Sequence, residues 1–283
     1  MARIVIIYDR ILRPDTTGVY CEAALRQTRH EVIYYPPLVK EGEKLFFKRY
    51  SDLPRGADLY FQVDDDMGYP GPDVPSIKAY WCIDTHRMDY LVGGMTRWDK
   101  LKAFDYVFAA QKDAAEKLKC PWLPLAFDPA AWRCLPGTKK KFDWCFVANM
   151  NTPSRRDLVA RLTSLFPCCF TGQAYGDEIN AIYNQSRLVL NLTVGNDVNM
   201  RFFEAQATGS PLITNRPENG EDLLFDNVIY YQSAGDLEAK MAELLKRSPQ
   251  DLESIGIRQR ERVLADHTYS HRMEQMLRTW QLD

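Results

Sequence analysis

The run Asn199-Met200-Arg201-Phe202-Phe203-Glu204-Ala205-Gln206-Ala207-Thr208-Gly209-Ser210-Pro211-Leu212-Ile213-Thr214 decides how this chain is read. It predicts a short helix, a Gly-Ser-Pro break and a buried apolar strand. Alanines and aromatics supply the helical face, and Gly209 and Pro211 fall where a helix should stop. Arg201 occupies the first turn, where the helix dipole disfavours a cation. A cation placed against the dipole makes sense when an anion such as phosphate binds beside it. Glu204 follows at i,i+3 on the same side and can accept hydrogen bonds from sugar hydroxyls. A phosphate site next to a hydroxyl acceptor points to a nucleotide or a nucleotide sugar. An ordinary surface ion pair is the competing reading of the same two residues.

Outward from that run, strands alternate with helices. In the first half, strands are expected at 3–8, 31–35, 58–63, 77–83, 106–110 and 122–125, with helices at 18–28 and 113–119. Such alternation implies a mostly parallel, doubly wound sheet. The segment 127–141 carries Pro129, Pro136, Gly137 and Lys139-Lys140-Lys141 and reads as a polar, breaker-rich link between the lobes, its lysine run a solvated hinge and not a binding patch. Alternation then restarts: strand 144–148, helix 155–165, strand 168–171, helix 176–185, strand 188–192, the helix of Glu204, strand 212–214, strand 228–230 and helix 234–246. The expected organisation is two Rossmann-like α/β lobes, residues 1–135 and 140–269, with a ligand cleft at the carboxyl ends of their strands. An amphipathic terminal helix within 270–283 is expected to pack back on the first lobe.

The second lobe repeats the pattern of arginine at a helix start. Strand 144–148 leads through Asn149 to Thr152-Pro153-Ser154-Arg155-Arg156, where Ser154 or Thr152 can cap the helix. Two such helix starts can clamp a diphosphate, because the planar guanidinium engages two phosphate oxygens at once.

Composition narrows the classes. Of 283 residues, 46% are hydrophobic and 26% charged, as in a globular protein with ample core. A net charge of −2 argues against binding nucleic acid through a broad basic surface. Seven cysteines without a CxxC suit neither a zinc site nor a disulfide framework, and a reducing cytoplasm is the simplest setting. No basic leader precedes Ile4-Val5-Ile6-Ile7, and no apolar run approaches the ~20 residues of a membrane span.

Asn184-Gln185-Ser186-Arg187-Leu188-Val189-Leu190-Asn191, Arg201-Phe202-Phe203-Glu204-Ala205 with Gly209, Leu223-Leu224-Phe225, Asp236-Leu237 and His267-Thr268-Tyr269-Ser270-His271-Arg272 together resemble the CgeB-like glycosyltransferases, relatives of the large retaining GT-B group. The resemblance is dense over the last third of the chain and holds only in outline before it. It implies two Rossmann-like domains facing a central cleft, a hexosyltransferase activity, and a nucleotide-sugar donor, UDP-linked by default, held mainly by the second domain. Glu204 matches the second acidic residue of the group's E-x7-E motif, which contacts the donor ribose. The first position is Asn196, a departure from glutamate at the place that touches the donor sugar. Arg155 and Arg201 fall where the family gathers positive charge around the diphosphate, with Asn149 and Asn199 beside them. Gly172, after Thr171, matches the base-binding loop. His86, after Asp84-Thr85, is the positional match for a histidine placed over the donor sugar. The acceptor, whether glycan, small molecule, protein or modified base, is not implied.

Glycosyl transfer needs charge stabilisation on a departing diphosphate, and fixed arginines can supply it without a metal. In an inverting reaction Asp84 or His86 would act as general base; in the retaining course favoured here the departing phosphate takes the proton and His86 positions the sugar. Asp64-Asp65-Asp66 contains a D-x-D, so metal dependence through Asp64 and Asp66 is the rival within glycosyltransferases. Two further rivals are a nucleotide-sugar epimerase and a catalytically silent donor-binding protein. His267 and His271 lie i,i+4 apart, a spacing that suits two metal ligands, but no third ligand is evident and a structural role is expected.

Overall fold

The computed structural model describes residues 1–11, 16–63, 74–85, 91, 92 and 95–282. His86, Asp64, Asp65 and Asp66 lie outside them. The chain divides into two compact units, Met1–Leu125 with Tyr269–Asp283, and Ala126–Thr268.

The first unit runs β1 (Arg3–Ile7), α1 (Thr17–Leu25), β2 (Glu31–Tyr35), β3 (Leu38–Glu41), β4 (Lys44–Phe47), β5 (Leu59–Val63), β6 (Ile77–Cys82), β7 (Leu91–Val92), β8 (Met95–Thr96), α2 (Arg97–Leu101), β9 (Tyr106–Ala109) and α3 (Lys112–Leu118). Its main sheet is parallel in the order β2-β1-β5-β6-β9. Ile4 to Ile7 are all fully buried, because a strand flanked in a parallel sheet is covered on both faces. Tyr60, Phe61, Tyr80 and Trp81, on β5 and β6, are core side chains too. Residues 122–125 form no strand; Trp122 makes a single bridge to Ala109, and its indole N–H donates to Ala110 O.

The second unit runs β10 (Phe142–Val147), α4 (Pro153–Leu165), β11 (Cys169–Gly172), α5 (Asp177–Gln185), β12 (Ser186–Asn191), α6 (Arg201–Ala207), β13 (Leu212–Asn215), α7 (Glu221–Leu224), β14 (Ile229–Tyr231), α8 (Ala234–Lys246) and α9 (Pro249–Asp266). Its sheet is parallel in the order β11-β10-β12-β13-β14. The direction of winding reverses between β10 and β12, which is the topological switch point where open α/β sheets bind ligands beyond their carboxyl ends. Trp144, Phe146, Leu188, Leu190, Ile213, Leu237 and Met241 build the core on one side of this sheet.

Segment 127–141 is not a free link but a strap bound to the second unit, and Lys140 of its lysine run is tied down with it. Asn180 Oδ1 accepts from Arg133 N at 3.0 Å, and Asn184 Oδ1 accepts from Leu135 N at 2.7 Å. Trp132 stacks on Tyr183, and Lys140 Nζ donates to Asn184 O and Ser210 Oγ. The cap expected at α4 is also corrected. Thr152 is the N-cap residue, but no side-chain hydrogen bond closes it. Pro153 opens the helix without an N–H, and Arg156 instead holds the preceding loop through Met150 O and Asn151 O.

The helix α9 packs on α6 at a contact only glycine permits. A Cβ on Gly256 would sit 1.9 Å from Gly209 O. The final helix, α10 (Tyr269–Thr279), belongs to the first unit. Tyr269 stacks on Tyr20, and Trp280 packs against Phe61 and Phe108. The buried Arg272 donates Nε to Pro124 O and Nη2 to Leu125 O.

Candidate functional site

Five parallel strands of the second unit deliver their following loops to one edge of the sheet, and two arginines cross that edge at the switch point. Arg155, on the first turn of α4 after β10, donates Nη1 to Asn149 O at 2.7 Å and Nη2 to Leu192 O at 2.9 Å, just past the end of β12. Arg201, the first residue of α6 after β12, returns the other way and donates Nε to Val147 O, the last residue of β10, at 2.9 Å. Each guanidinium is half-buried and is fixed through backbone carbonyls.

Among the described residues neither arginine forms an ion pair. Burial, and then the positive charge of Arg201, pull the Arg155 pKa below its ordinary value. Two like charges held partly out of water, neither in an ion pair among the described residues, form a site that an anion would stabilise. Arg155 uses Nη1 and Nη2 N–H groups on two carbonyls, and its other N–H donors have no partner among the described residues.

The surrounding polar groups are locked. Asn199 Oδ1 accepts from Arg201 N at 3.1 Å and its Nδ2 donates to Asn191 Oδ1 at 3.4 Å; Asn191 in turn donates to Thr214 Oγ1 at 3.3 Å. Glu204 is buried in α6, one turn beyond Arg201. The fully buried Tyr183 hydroxyl meets both charges: it hydrogen bonds with the Arg201 side chain and feels the Glu204 carboxylate, while burial pushes its pKa far up. Gly172 ends β11, and its carbonyl accepts from Ala148 N at 2.9 Å, which ties the β11 loop to the β10 loop.

Asn196 is exposed in the β12–α6 loop, and its carbonyl accepts from Asn219 Nδ2 at 2.8 Å. Thr193 and Asn215 join the same two loops by a pair of hydrogen bonds, Thr193 N to Asn215 Oδ1 and Asn215 Nδ2 to Thr193 Oγ1, each 2.8 Å. Thus Asn149, Arg155, Gly172, Asn196, Asn199, Arg201 and Glu204 share one sheet edge. Asp84 lies two residues past β6 in the first unit. His267 is buried with Nε2 3.1 Å from Leu224 O and its ring against Phe203 and Phe225.

Tyr183, Asn215 and Asn219 are not legible as site residues in the sequence. Tyr183 lies on a helix whose apolar pattern makes it read as core, and the two asparagines read as turn formers after a strand. Polar side chains at and after strand ends are the signal that points to Asn215 and Asn219; none points to Tyr183.

Residues 154–278, less than half of the chain, match the family described as glycosyl transferase-like. No curated protein matches the sequence. Solved structures align over almost the whole chain. Sucrose-phosphate synthase from Thermosynechococcus elongatus has a TM-score of 0.66 at 11% identity, covering 99% of this chain and 98% of its own. The β-glucosyltransferase of T4 phage has a TM-score of 0.65 at 14% identity, covering 98% of each chain. Anabaena HepE, solved with UDP and glucose, has a TM-score of 0.65 at 9% identity, covering 99% of this chain and 100% of its own. The fold is GT-B. At these identities the likeness concerns architecture, and the two parallel sheets described above are the two Rossmann-like halves of GT-B. Among the described residues no helix is long and apolar enough to cross a membrane.

Proposed function

We propose that this chain is a glycosyltransferase that moves a hexosyl group from a nucleoside-diphosphate sugar to an acceptor hydroxyl. The observation that carries the reading is the pair of arginines crossing the switch point without an ion-pair partner among the described residues. The glycosyl transferase-like match over 154–278 and the UDP and glucose in the HepE structure support it.

As the bond to the sugar breaks, charge grows on the leaving diphosphate. Arg155 and Arg201 are already oriented and partly desolvated, so they stabilise that charge without reorganising. Glu204, buried beside them, is assigned to the ribose hydroxyls, and the Gly172 loop to the base. Asn149 and Asn199 hold the arginines and the α6 start in place. A retaining course is part of the proposal: the departing phosphate takes the acceptor proton, so no separate base is required. His86 is then assigned to the transferred sugar, and Asp84 to its neighbourhood. The donor is UDP-linked and the reaction metal-independent in this reading.

The test is product analysis with a panel of UDP-sugars and acceptors, with and without excess chelator. Transfer with chelator present supports the proposal, and transfer abolished by chelator returns Asp64 and Asp66 to the site. Conversion of donor without any acceptor would make the chain an epimerase. Binding without turnover across the panel would make it a silent donor-binding protein.

A further inference from the structure

The loop between β13 and α7, Arg216–Gly220, contains a residue whose backbone and side chain are otherwise unexplained. Glu218 has φ +55°, the left-handed region that non-glycine residues rarely occupy. The loop is fixed on both sides of it. Arg216 lies 4.5 Å over the Tyr230 ring and pairs at 3.7 Å with the buried Glu221. Asn219 N donates to Glu221 Oε2 at 2.8 Å, and Asn219 Nδ2 donates to Asn196 O at 2.8 Å. Glu218 is therefore one residue from a direct tether to the β12–α6 loop, whose two ends carry the carbonyl held by Arg155 and Arg201 itself. Its own carboxylate is exposed and, among the described residues, makes no hydrogen bond or ion pair.

Glycine or asparagine would hold this backbone at lower cost. A glutamate kept there in a locked loop, its carboxylate unspent, has a chemical use. At this edge the group next to a diphosphate on Arg155 and Arg201 is one of its two substituents, nucleoside or sugar. Glu204 is buried in α6, and its charge acts on the Tyr183 hydroxyl. In the β13–α7 loop, tied to the loop of Asn196 through Asn219, Glu218 is an exposed carboxylate with no partner among the described residues.

We propose that Glu218 accepts hydrogen bonds from hydroxyls of the transferred sugar, and so selects a neutral, hydroxyl-rich hexose against a uronic acid. This rests on the diphosphate reading above. A carboxylate accepts from two neighbouring hydroxyls, and its charge repels a second carboxylate on the sugar.

The experiment is calorimetry of the full chain and of Glu218→Gln and Glu218→Gly with uridine, guanosine and thymidine diphosphates, their glucose conjugates and UDP-glucuronate. For the nucleotide that binds, both variants should keep wild-type affinity for the bare diphosphate and lose about tenfold for its glucose conjugate, the loss of a charge-assisted contact. UDP-glucuronate should bind Glu218→Gln more tightly than wild type. Glu218→Gly should melt no lower than wild type, because it relieves the backbone, so its loss of sugar affinity cannot come from unfolding. Unchanged conjugate affinity in both variants, or an equal fall for diphosphate and conjugate, overturns the proposal while leaving the diphosphate site standing. Wild type that binds no diphosphate at all overturns both.

Discussion

Replacing Arg155 with alanine separates a ligand site from a decorated surface. The guanidinium holds Asn149 O and Leu192 O, is partly buried, and is repelled by Arg201. In the free protein the change removes one exposed and one part-buried hydrogen bond to carbonyls, and it also relieves the like-charge repulsion. These effects oppose each other, so stability should shift by no more than about 1 kcal/mol. With a nucleoside diphosphate bound nothing cancels. A hydrogen bond to a charged group contributes roughly 1.5–3 kcal/mol. At about 1.4 kcal/mol per tenfold this is a loss of roughly 10- to 150-fold in affinity. Calorimetry with UDP, beside thermal melts of the same samples, reads both quantities. Affinity within about threefold of wild type would refute the reasoning, since a direct charge-assisted contact cannot be lost so cheaply. Arg201→Ala should behave alike, with a larger stability loss because Tyr183 and Val147 O lose their donor.

Glu204→Ala should erase the preference for UDP over its 2′,3′-dideoxy analogue, as measured by competition binding; a preserved preference would remove Glu204 from the ribose. His86→Ala should lower turnover far more than donor affinity, and equal turnover in both proteins would reassign His86 to structure. Gly256→Ala should cost about 1–3 kcal/mol in a denaturant melt, because its Cβ must displace the Gly209 carbonyl 1.9 Å away. At pH 8 Ellman's reagent should label the exposed Cys168 and spare Cys21 and Cys145 until the chain unfolds; burial pushes the Cys145 thiol up to about 12.

The alternation of strand and helix is readable because the central strands of a parallel sheet are buried on both faces. Ile4–Ile7 and Leu188–Leu190 therefore appear as unbroken apolar runs. The helix α9 is not readable in the same way. Its buried stripe is Leu252, Gly256, Gln259 and Val263, so two of its four inward positions are not apolar. Gly256 is selected by the Gly209 carbonyl and Gln259 by Leu212 N and Asn227 O, partners far away in the chain. The strap at 127–141 reads as a linker for a related reason. Its prolines and lysines are local signals, while Asn180 and Asn184, which bind it down, lie on α5, beyond β10, α4 and β11.

By itself the sequence determined the α/β class, the two-fold repetition of the doubly wound pattern, and the residue types at the start of α4 and α6. Those depend on periodicity and on near neighbours, which a chain displays in order. Only the tertiary structure decided that Arg155 and Arg201 cross the same switch point in opposite directions, that Tyr183 lies beside Arg201 and Glu204, and that Asn219 ties Glu218 to the loop of Asn196. Each of those contacts joins segments, loop or helix, that follow different strands. Their meeting depends on strand order in the sheet, which local pattern does not encode.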